Sequence, residues 1–235
     1  MSKTVDVCLV TWPNHPKRWE YFQETVRVLK SRLRATYHGL RYYCSAESER
    51  DPRHEWFGDR LVSFCFEQEI ELRWRHGQAN LGANMNAALR LGESDTIFLV
   101  QDDWLLLRDL DLSDGVDFME AGKADLLRYY FPDVDHMRPT FYEHEDDGWL
   151  RIHHDSTWLY GDDPHLRRRD FMGTFGWYFE GGGHASASAT MMRHLRVLQA
   201  DIAVAHPISC FRHFGDVTAV LDDQRERRIT RDSYE

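Results

Sequence analysis

The chain has 235 residues, which suits one α/β domain, and its 42% hydrophobic and 29% charged residues predict a folded globular protein. The formal net charge of −10 argues against a broad nucleic-acid-binding surface, because such a surface normally needs a basic face. No apolar run approaches the about 18 residues of a membrane-spanning helix, and the first residues lack the apolar core of a signal peptide. We therefore expect a cytoplasmic protein, with peripheral attachment to a membrane left open.

Strands and helices alternate through the first part of the chain. An apolar run predicts a buried strand over 5–11, and apolar residues recur at helical spacing over 18–33. Further strands are predicted over 40–44 and 70–75, and the apolar run 61–66 is compatible with a strand or a short helix. This alternation predicts a mostly parallel sheet flanked by helices.

The next segment combines a turn, a helix and an acidic strand end. Asn80 and Gly82 predict a turn that opens a helix over 83–91. The apolar run 97–100 then predicts a buried strand, which ends in the adjacent carboxylates Asp102-Asp103. Ligands of open α/β sheets bind beyond the carboxyl ends of the strands, and paired carboxylates are good ligands for a hard cation. The alternative is that Asp102 caps the following segment and Asp103 is solvated.

The second half of the chain has weaker periodicity. Residues 126–130 predict a strand, and 185–198 predict a helix. The polar region 132–170 is either a long exposed excursion with a hairpin near 149–153, or a functional lid or acceptor loop. Two basic clusters are interpreted as solvated surface: 167–169 and 225–231.

The order of turn, helix and acidic strand resembles the family-2-like glycosyltransferases with the GT-A fold. The positions that carry this resemblance are Asn80, Gly82, Asn86 and Gln101-Asp102-Asp103-Trp104. Many members of the family have Glu-Asp-Asp-Trp at the last of these, so Gln101 is a departure. A glutamine can still form hydrogen bonds but adds no charge, which leaves metal binding to Asp103.

The resemblance implies one GT-A (Rossmann-like) α/β domain over residues 1–235, with a central, mostly parallel sheet flanked by helices. In that reading, residues 1–104 bind the nucleotide sugar and 105–215 form the acceptor and catalytic half. Residues 216–235 form a C-terminal tail.

The implied reaction is transfer of a hexosyl or pentosyl group from a nucleotide-diphosphate donor, with a UDP-type donor favoured, to an acceptor hydroxyl. A divalent metal, Mn²⁺ or Mg²⁺, would neutralise the diphosphate leaving group. The resemblance assigns the metal to Asp103 and the donor hydroxyls to Asp102. The segment Arg212-His213-Phe214-Gly215 resembles the C-terminal histidine segment of these enzymes, which makes His213 a metal or diphosphate contact, with His206 as a competitor.

Several further residues are candidates for contact with the donor. For the nucleobase, the resemblance points to Thr11, Trp12 and Pro13, at the end of the first strand and in the loop after it. It also implies that Glu47 accepts a hydrogen bond from base or ribose. Positive charge near the diphosphate would come from Arg75, His76 and Arg212. The remaining donor-contact candidates come from the motif itself: Asn80, Gly82, Asn86 and Gln101.

The candidate general base lies in the aromatic and glycine-rich stretch 174–186. Glu180 and His184 are the two groups there that can take a proton from a hydroxyl. Glu180 is favoured, because inverting enzymes of this class mostly use a carboxylate and because its aromatic neighbours predict a desolvated position. The family often places a Glu-Asp pair at the start of this helix, and this chain has none.

Two other functions remain open at this point. A nucleotidyltransferase usually has a glycine-rich, basic segment after the first strand, and Trp12-Pro13-Asn14-His15-Pro16 does not fit that pattern. A non-catalytic nucleotide-sugar-binding protein on a degenerate GT-A scaffold would account for Gln101 and for the missing Glu-Asp pair. The acceptor is open as well: a glycan, a lipid, a small molecule or a modified nucleic acid.

Overall fold

A computed structural model describes residues 3–12, 16–48, 55–76, 80–130, 142–146, 148–156, 159–180, 184–205 and 210–214. The helices are α1 (Pro16–Arg32), α2 (Glu55–Glu67), α3 (Leu81–Leu91), α4 (Ser113–Glu120), α5 (Phe171–Phe175) and α6 (His184–Val197). The strands of the first half are β1 (Thr4–Thr11), β2 (Leu33–Arg34), β3 (Gly39–Ser48), β4 (Ile70–His76), β5 (Thr96–Gln101), β6 (Trp104–Leu106) and β7 (Leu110–Asp111). The later strands are β8 (Leu126–Arg128), β9 (Tyr142–Asp146), β10 (Trp149–Ile152), β11 (His165–Arg168), β12 (Ile202–Ala205) and β13 (Phe211–His213).

A nine-stranded sheet in the order β4-β3-β1-β5-β11-β8-β12-β10-β9 organises the described residues. Strands β4, β3, β1 and β5 are parallel neighbours, while β11 and β10 run antiparallel to the strands beside them. The prediction of a mostly parallel α/β sheet is confirmed. The short segment 61–66 belongs to a helix, α2, and not to a strand.

Helices cover both faces of the sheet, which explains why its central strands are apolar throughout. Side chains of α1 and α2 pack with one set of β1 and β5 residues in the larger hydrophobic cluster. Side chains of α3 and α6 pack with the alternate set in a second cluster. Strand β1 is buried from Val5 to Thr11 because neither of its faces meets solvent. The helix α1 contributes Trp19, Phe22, Val26 and Leu29, which share one face at helical spacing.

Strand β11 is the main element that the sequence patterns do not predict. It lies in the middle of the sheet, antiparallel to both β5 and β8. Its Arg167 is fully buried: the guanidinium donates to the Tyr178 hydroxyl at 2.8 Å and lies over the Phe171 ring. The interpretation of 167–169 as solvated surface is therefore wrong for Arg167, although Arg169 is exposed.

Other expectations for the second half are met in part. The predicted hairpin is present as β9 and β10, and the predicted C-terminal helix is α6.

All four cysteines are buried free thiols. Within the described residues, no helix combines the length and the apolar composition that crossing a membrane requires. The basic cluster 225–231 lies outside the described residues.

Candidate active site

The carboxyl ends of β1 and β5 lie at a topological switch point of the sheet. From β1 the chain goes through α1 to β3 on one side, whereas β5 lies on the other side of β1. Val10 is paired with Gln101, so the residues that follow these two strands lie next to each other. Ligands of open α/β sheets bind at such a point.

We call Asp102-Asp103, between β5 and β6, the acidic turn. Asp102 is only 1% exposed, and its Oδ2 accepts a hydrogen bond from the Thr11 hydroxyl at 2.7 Å. Burial raises the pKa of Asp102 to about 6, against the opposing charge of Arg18. The Thr25 hydroxyl donates to the Asp102 carbonyl at 2.9 Å, which fixes the turn to helix α1.

Asp103 lies between two basic side chains from distant parts of the chain. Its Oδ2 is 2.6 Å from Arg18 Nη1 and 3.2 Å from His213 Nε2. Burial alone would raise the pKa of Asp103, but the charge of Arg18 and the hydrogen bond and charge of His213 outweigh it and hold that pKa below its usual range. His213 reaches this position because β13 pairs antiparallel with β6, with His213 opposite Trp104.

The donor atoms at this turn fit a divalent cation. Asp102 Oδ1 and Asp103 Oδ1 are buried and have no hydrogen-bond partner among the described residues. Asp103 Oδ2 and His213 Nε2 form an ion pair at 3.2 Å, so both side chains are placed where they could serve one small cation. No group of three or more His, Cys, Asp or Glu side chains in the described ranges could hold a metal by itself. Asp103 and His213 are the candidate ligands at this turn, and one or two protein ligands are usual for Mg²⁺ bound to phosphates.

The ends of β3 and β4 form a second polar cluster. Glu47 is 4% exposed, and its Oε2 accepts a hydrogen bond from the Asn80 backbone at 2.7 Å. Burial raises the pKa of Glu47, opposed by that hydrogen bond and by the charge of Arg75. Arg75 is opposite Glu47 in the sheet and donates to the Ala83 carbonyl at 2.5 Å. Glu47 therefore holds the residue that precedes α3, and Arg75 holds the first turn of α3.

Asn80 and Gly82 serve the chain itself. Asn80 caps α3, because its Oδ1 accepts a hydrogen bond from the Ala83 backbone at 3.2 Å, and its Nδ2 donates to the Glu180 carbonyl. A Cβ atom at Gly82 would lie 2.2 Å from the Phe179 carbonyl oxygen. A glycine is needed here because the backbone before Glu180 lies directly against α3.

Asn86 is the third residue that joins α3 to residues 178–180. It is fully buried; its Nδ2 donates to the Tyr178 carbonyl at 3.0 Å and its Oδ1 accepts from the Tyr178 backbone at 3.1 Å. Its Nδ2 also donates to Glu180 Oε1 at 2.7 Å. Asn80, Gly82 and Asn86, which are expected to contact the donor, hold residues 178–180 in place in this structure.

Glu180 differs from its sequence-based expectation in one respect. Its side chain is 48% exposed and lies 3.8 Å from Arg90 Nη1, so the expected desolvated environment is absent. Trp177 and Phe179 are also partly exposed, while Tyr178 between them is buried. The carboxylate is therefore accessible to a substrate hydroxyl from outside the protein.

Comparisons with known proteins address the fold. No protein-family model and no curated protein matches the sequence. Staphylococcus aureus TarS matches with a TM-score of 0.60 and 13% identity, over 88% of this chain and 36% of TarS. A Pyrobaculum calidifontis mannosyltransferase matches with a TM-score of 0.58 and 14% identity, over 88% and 58% of the two chains. GalNAc-T7 matches with a TM-score of 0.61 and 9% identity, over 89% and 43%.

This chain has a GT-A-like fold. The neighbours are glycosyltransferases, and the chain spans less than two thirds of the length of each of these three. Their structures include TarS with UDP-GlcNAc, the mannosyltransferase with GDP-Man and Mn²⁺, and GalNAc-T7 with UDP, GalNAc and Mn²⁺. At these identities the likeness establishes the fold alone.

Several of the predicted site residues have no described side-chain position. Pro13 and His206 lie outside the described residues, as do the side chains of His76 and His184.

Gln101 is 7% exposed, and its Nε2 donates to the Asp162 carbonyl at 2.8 Å, so it connects the acidic turn to a neighbouring loop. Trp12 is half-buried, and its backbone N–H is 3.5 Å from Asp102 Oδ2.

Two residues of the site, Arg18 and Asn84, are not predicted by the sequence patterns. Asn84 is buried, donates to the Thr11 carbonyl at 2.9 Å and accepts from the Ser45 hydroxyl at 2.6 Å. It thereby ties the ends of β1 and β3 to α3. Its position between Asn80 and Asn86 was the available signal, since a buried asparagine in a helix needs partners outside that helix.

We expect Gly82→Ala to lower the free energy of unfolding by about 1–3 kcal/mol, the usual cost of overpacking. The added methyl group would overlap the Phe179 carbonyl, so residues 178–180 or α3 have to shift. Urea denaturation measures the loss. The matched control is Gly173→Ala, because nothing lies within 4 Å of a Cβ atom there. Equal stability of the two variants would contradict the close packing at Gly82.

Proposed function

We propose that this protein transfers a hexosyl or pentosyl group from a nucleotide-diphosphate sugar, favoured to be of the UDP type, to an acceptor hydroxyl. The observation that carries the proposal is the acidic turn at the switch point of a GT-A-like sheet, with His213 brought to Asp103 from the far end of the described chain. Proteins with similar folds have been solved with UDP, UDP-GlcNAc and GDP-Man, which supports a nucleotide-sugar donor.

In this proposal, residues at the carboxyl end of β1 hold the nucleoside. Thr11 and Trp12 line the nucleobase, and Asp102 positions Thr11 through the 2.7 Å hydrogen bond. Asp102 Oδ1 is buried and lies 3.3 Å from Arg18 Nη1 without accepting a hydrogen bond, and we assign a donor hydroxyl to this oxygen. Glu47 acts through Asn80, which it holds, and so shapes the entrance to α3.

The leaving diphosphate needs positive charge at the acidic turn. Asp103 and His213 are the residues that would hold Mn²⁺ or Mg²⁺, which when bound supplies Lewis-acid neutralisation of the diphosphate. Arg18 adds a permanent positive charge at the same place, 2.6 Å from Asp103 Oδ2.

The acceptor hydroxyl needs a base. We assign this role to Glu180, with His184 as the alternative, and propose an inverting reaction in which the carboxylate takes the hydroxyl proton. Asn86 orients Glu180 by donating to its Oε1, which leaves the other oxygen for the acceptor. The accessible position of Glu180 suits an acceptor that arrives from solvent.

A non-catalytic nucleotide-sugar-binding protein is the second candidate. The observation in its favour is the half-exposed state of Glu180, because an exposed carboxylate is a weaker base than one shielded from water. The two candidates differ in whether a bound donor is ever consumed.

A thermal-shift panel of nucleotide sugars, with and without Mn²⁺, tests the proposal. A ligand that binds only the folded state stabilises it, by about 2.7 kcal/mol at a ligand concentration 100 times the Kd. This stabilisation raises the melting temperature. We expect UDP or a UDP-sugar with Mn²⁺ to give the largest shift, and UDP release in the presence of an acceptor to show transfer. Absence of a shift with every nucleotide sugar would contradict the proposal, and a shift without any release of UDP would favour the binding protein.

A further inference from the structure

Arg18 occupies the place where a cation would be expected. It lies in the first turn of α1, which follows β1, and its guanidinium reaches the acidic turn. Its Nη1 is 2.6 Å from Asp103 Oδ2 and 3.3 Å from Asp102 Oδ1. The side chain is 22% exposed, while Asp102 and Asp103 are 1% and 13% exposed. This guanidinium therefore pairs with both carboxylates, which are largely shielded from water.

A divalent cation and Arg18 would compete for the same oxygen. The candidate cation ligands are Asp103 and His213, which meet at Asp103 Oδ2, and this oxygen already accepts the short hydrogen bond from Arg18. Two cations within a few ångströms of each other repel strongly where water is scarce. Arg18 therefore has to withdraw from Asp103 when a divalent cation binds.

We propose that Arg18 is the resident counter-cation of the acidic turn, which releases Asp103 to an incoming divalent cation and pairs instead with the diphosphate of the donor. The inference rests on the proposed function, because that function brings cation and diphosphate to this turn. A guanidinium suits the second role, since its planar donors match phosphate oxygens. Its position in the first turn of α1 places this guanidinium on a helix and not on the sheet that carries the acidic turn.

The consequence is a coupling between metal and nucleotide. Without nucleotide, Arg18 opposes the metal, so metal binding is weak. With a diphosphate present, Arg18 has another anionic partner, and metal binding becomes tighter. Linkage requires the metal to tighten nucleotide binding by the same factor.

The test measures binding of Mn²⁺ alone and of Mn²⁺ with UDP, by titration of the free Mn²⁺ electron-paramagnetic-resonance signal. The proteins are the full chain, Arg18→Gln, Arg18→Lys and the control Arg27→Gln. Arg27 is an exposed arginine on the same helix, paired with Glu24. We expect Arg18→Gln to bind Mn²⁺ without UDP about 10- to 100-fold more tightly than the unmodified chain, the factor that one charge-assisted hydrogen bond represents.

The other variants separate the effect of the charge of Arg18 from that of its planar geometry and provide a control. Arg18→Lys keeps the charge but not the planar donors, so its Mn²⁺ affinity should lie between the two, and Arg27→Gln should match the unmodified chain. Arg18→Gln should also melt at a lower temperature and regain stability on addition of Mn²⁺, because its carboxylates have lost their cation. If Arg18→Gln does not fold, the same comparison is made with Arg18→Lys alone.

Unchanged or weaker Mn²⁺ binding without UDP in Arg18→Gln, or in Arg18→Lys where only that variant folds, would overturn the inference. This result is distinct from failure of the proposed function. That failure would appear as an absence of nucleotide-sugar binding by the unmodified chain, whereas the competition between Arg18 and Mn²⁺ is measured without any nucleotide.

Discussion

Asp103→Asn is expected to abolish Mn²⁺-dependent binding of UDP while leaving the protein folded. The substitution keeps the shape of the side chain but removes the negative charge that faces Arg18 and His213. A neutral amide is a poor ligand for a hard cation beside a guanidinium, so the cation has no anionic partner at this oxygen. The backbone of the turn keeps its own hydrogen bond, from Phe214 N–H to the Asp103 carbonyl at 2.8 Å, so we expect the turn to persist.

Isothermal titration with UDP, in the presence and absence of Mn²⁺, measures this effect. The matched control is Asp117→Asn, which makes the same chemical change at an exposed position of α4. We expect the control to bind like the unmodified chain, and circular dichroism to show the same helix content in all three proteins. Unchanged Mn²⁺-dependent binding or transfer in Asp103→Asn would refute the assignment of the metal to this residue.

The strands beside the acidic turn could be predicted because their signals are local. The apolar run 97–100 ends in two carboxylates within a few residues, and the structure places β5 and the acidic turn there. Strand β1 was predicted over 5–11 and is found at Thr4–Thr11. A buried parallel strand has both faces covered, so its sequence is continuously apolar and easily recognised.

Arg18 and β11 could not be predicted, because their environment is created by distant parts of the chain. Arg18 and Asp103 are separated by 85 positions in the sequence, and a basic residue near a helix start is ordinarily solvated. In β11, Arg167 is charged but fully buried, since Tyr178 and the Phe171 ring surround its guanidinium. A pattern based on hydrophobicity reads such a strand as a polar loop.

For Asn80, Gly82 and Asn86, the sequence indicates which residues matter but not which parts of the chain they contact. Spacing indicates that Asn80, Gly82 and Asn86 have defined roles, and the structure gives them contacts with residues 178–180. A buried amide satisfies its hydrogen bonds wherever the fold offers a partner. Asn86 finds its partners at Tyr178, 92 positions away, which only the packing of α3 against that segment could reveal.

This attachment gives Glu180 a defined position and makes its replacement informative. Glu180→Gln keeps a carbonyl oxygen that can accept the hydrogen bond from Asn86, so residues 178–180 should stay in place. The amide cannot take a proton from an acceptor hydroxyl. If Glu180 is the general base, kcat should fall by about 10²- to 10⁴-fold, the usual contribution of such a group.

Steady-state kinetics, combined with thermal shifts for the donor, separate this role from a structural one. Donor affinity should be unchanged, because the loss affects proton transfer and not binding. Glu120→Gln, at an exposed carboxylate on α4, is the matched control and should retain normal turnover. His184→Ala is expected to have the milder effect of the two candidate bases. Near-normal turnover in Glu180→Gln together with an inactive His184→Ala would assign the general base to His184. The hydroxyl proton would then be accepted by His184, at the start of α6, and not by the Glu180 carboxylate that Asn86 holds.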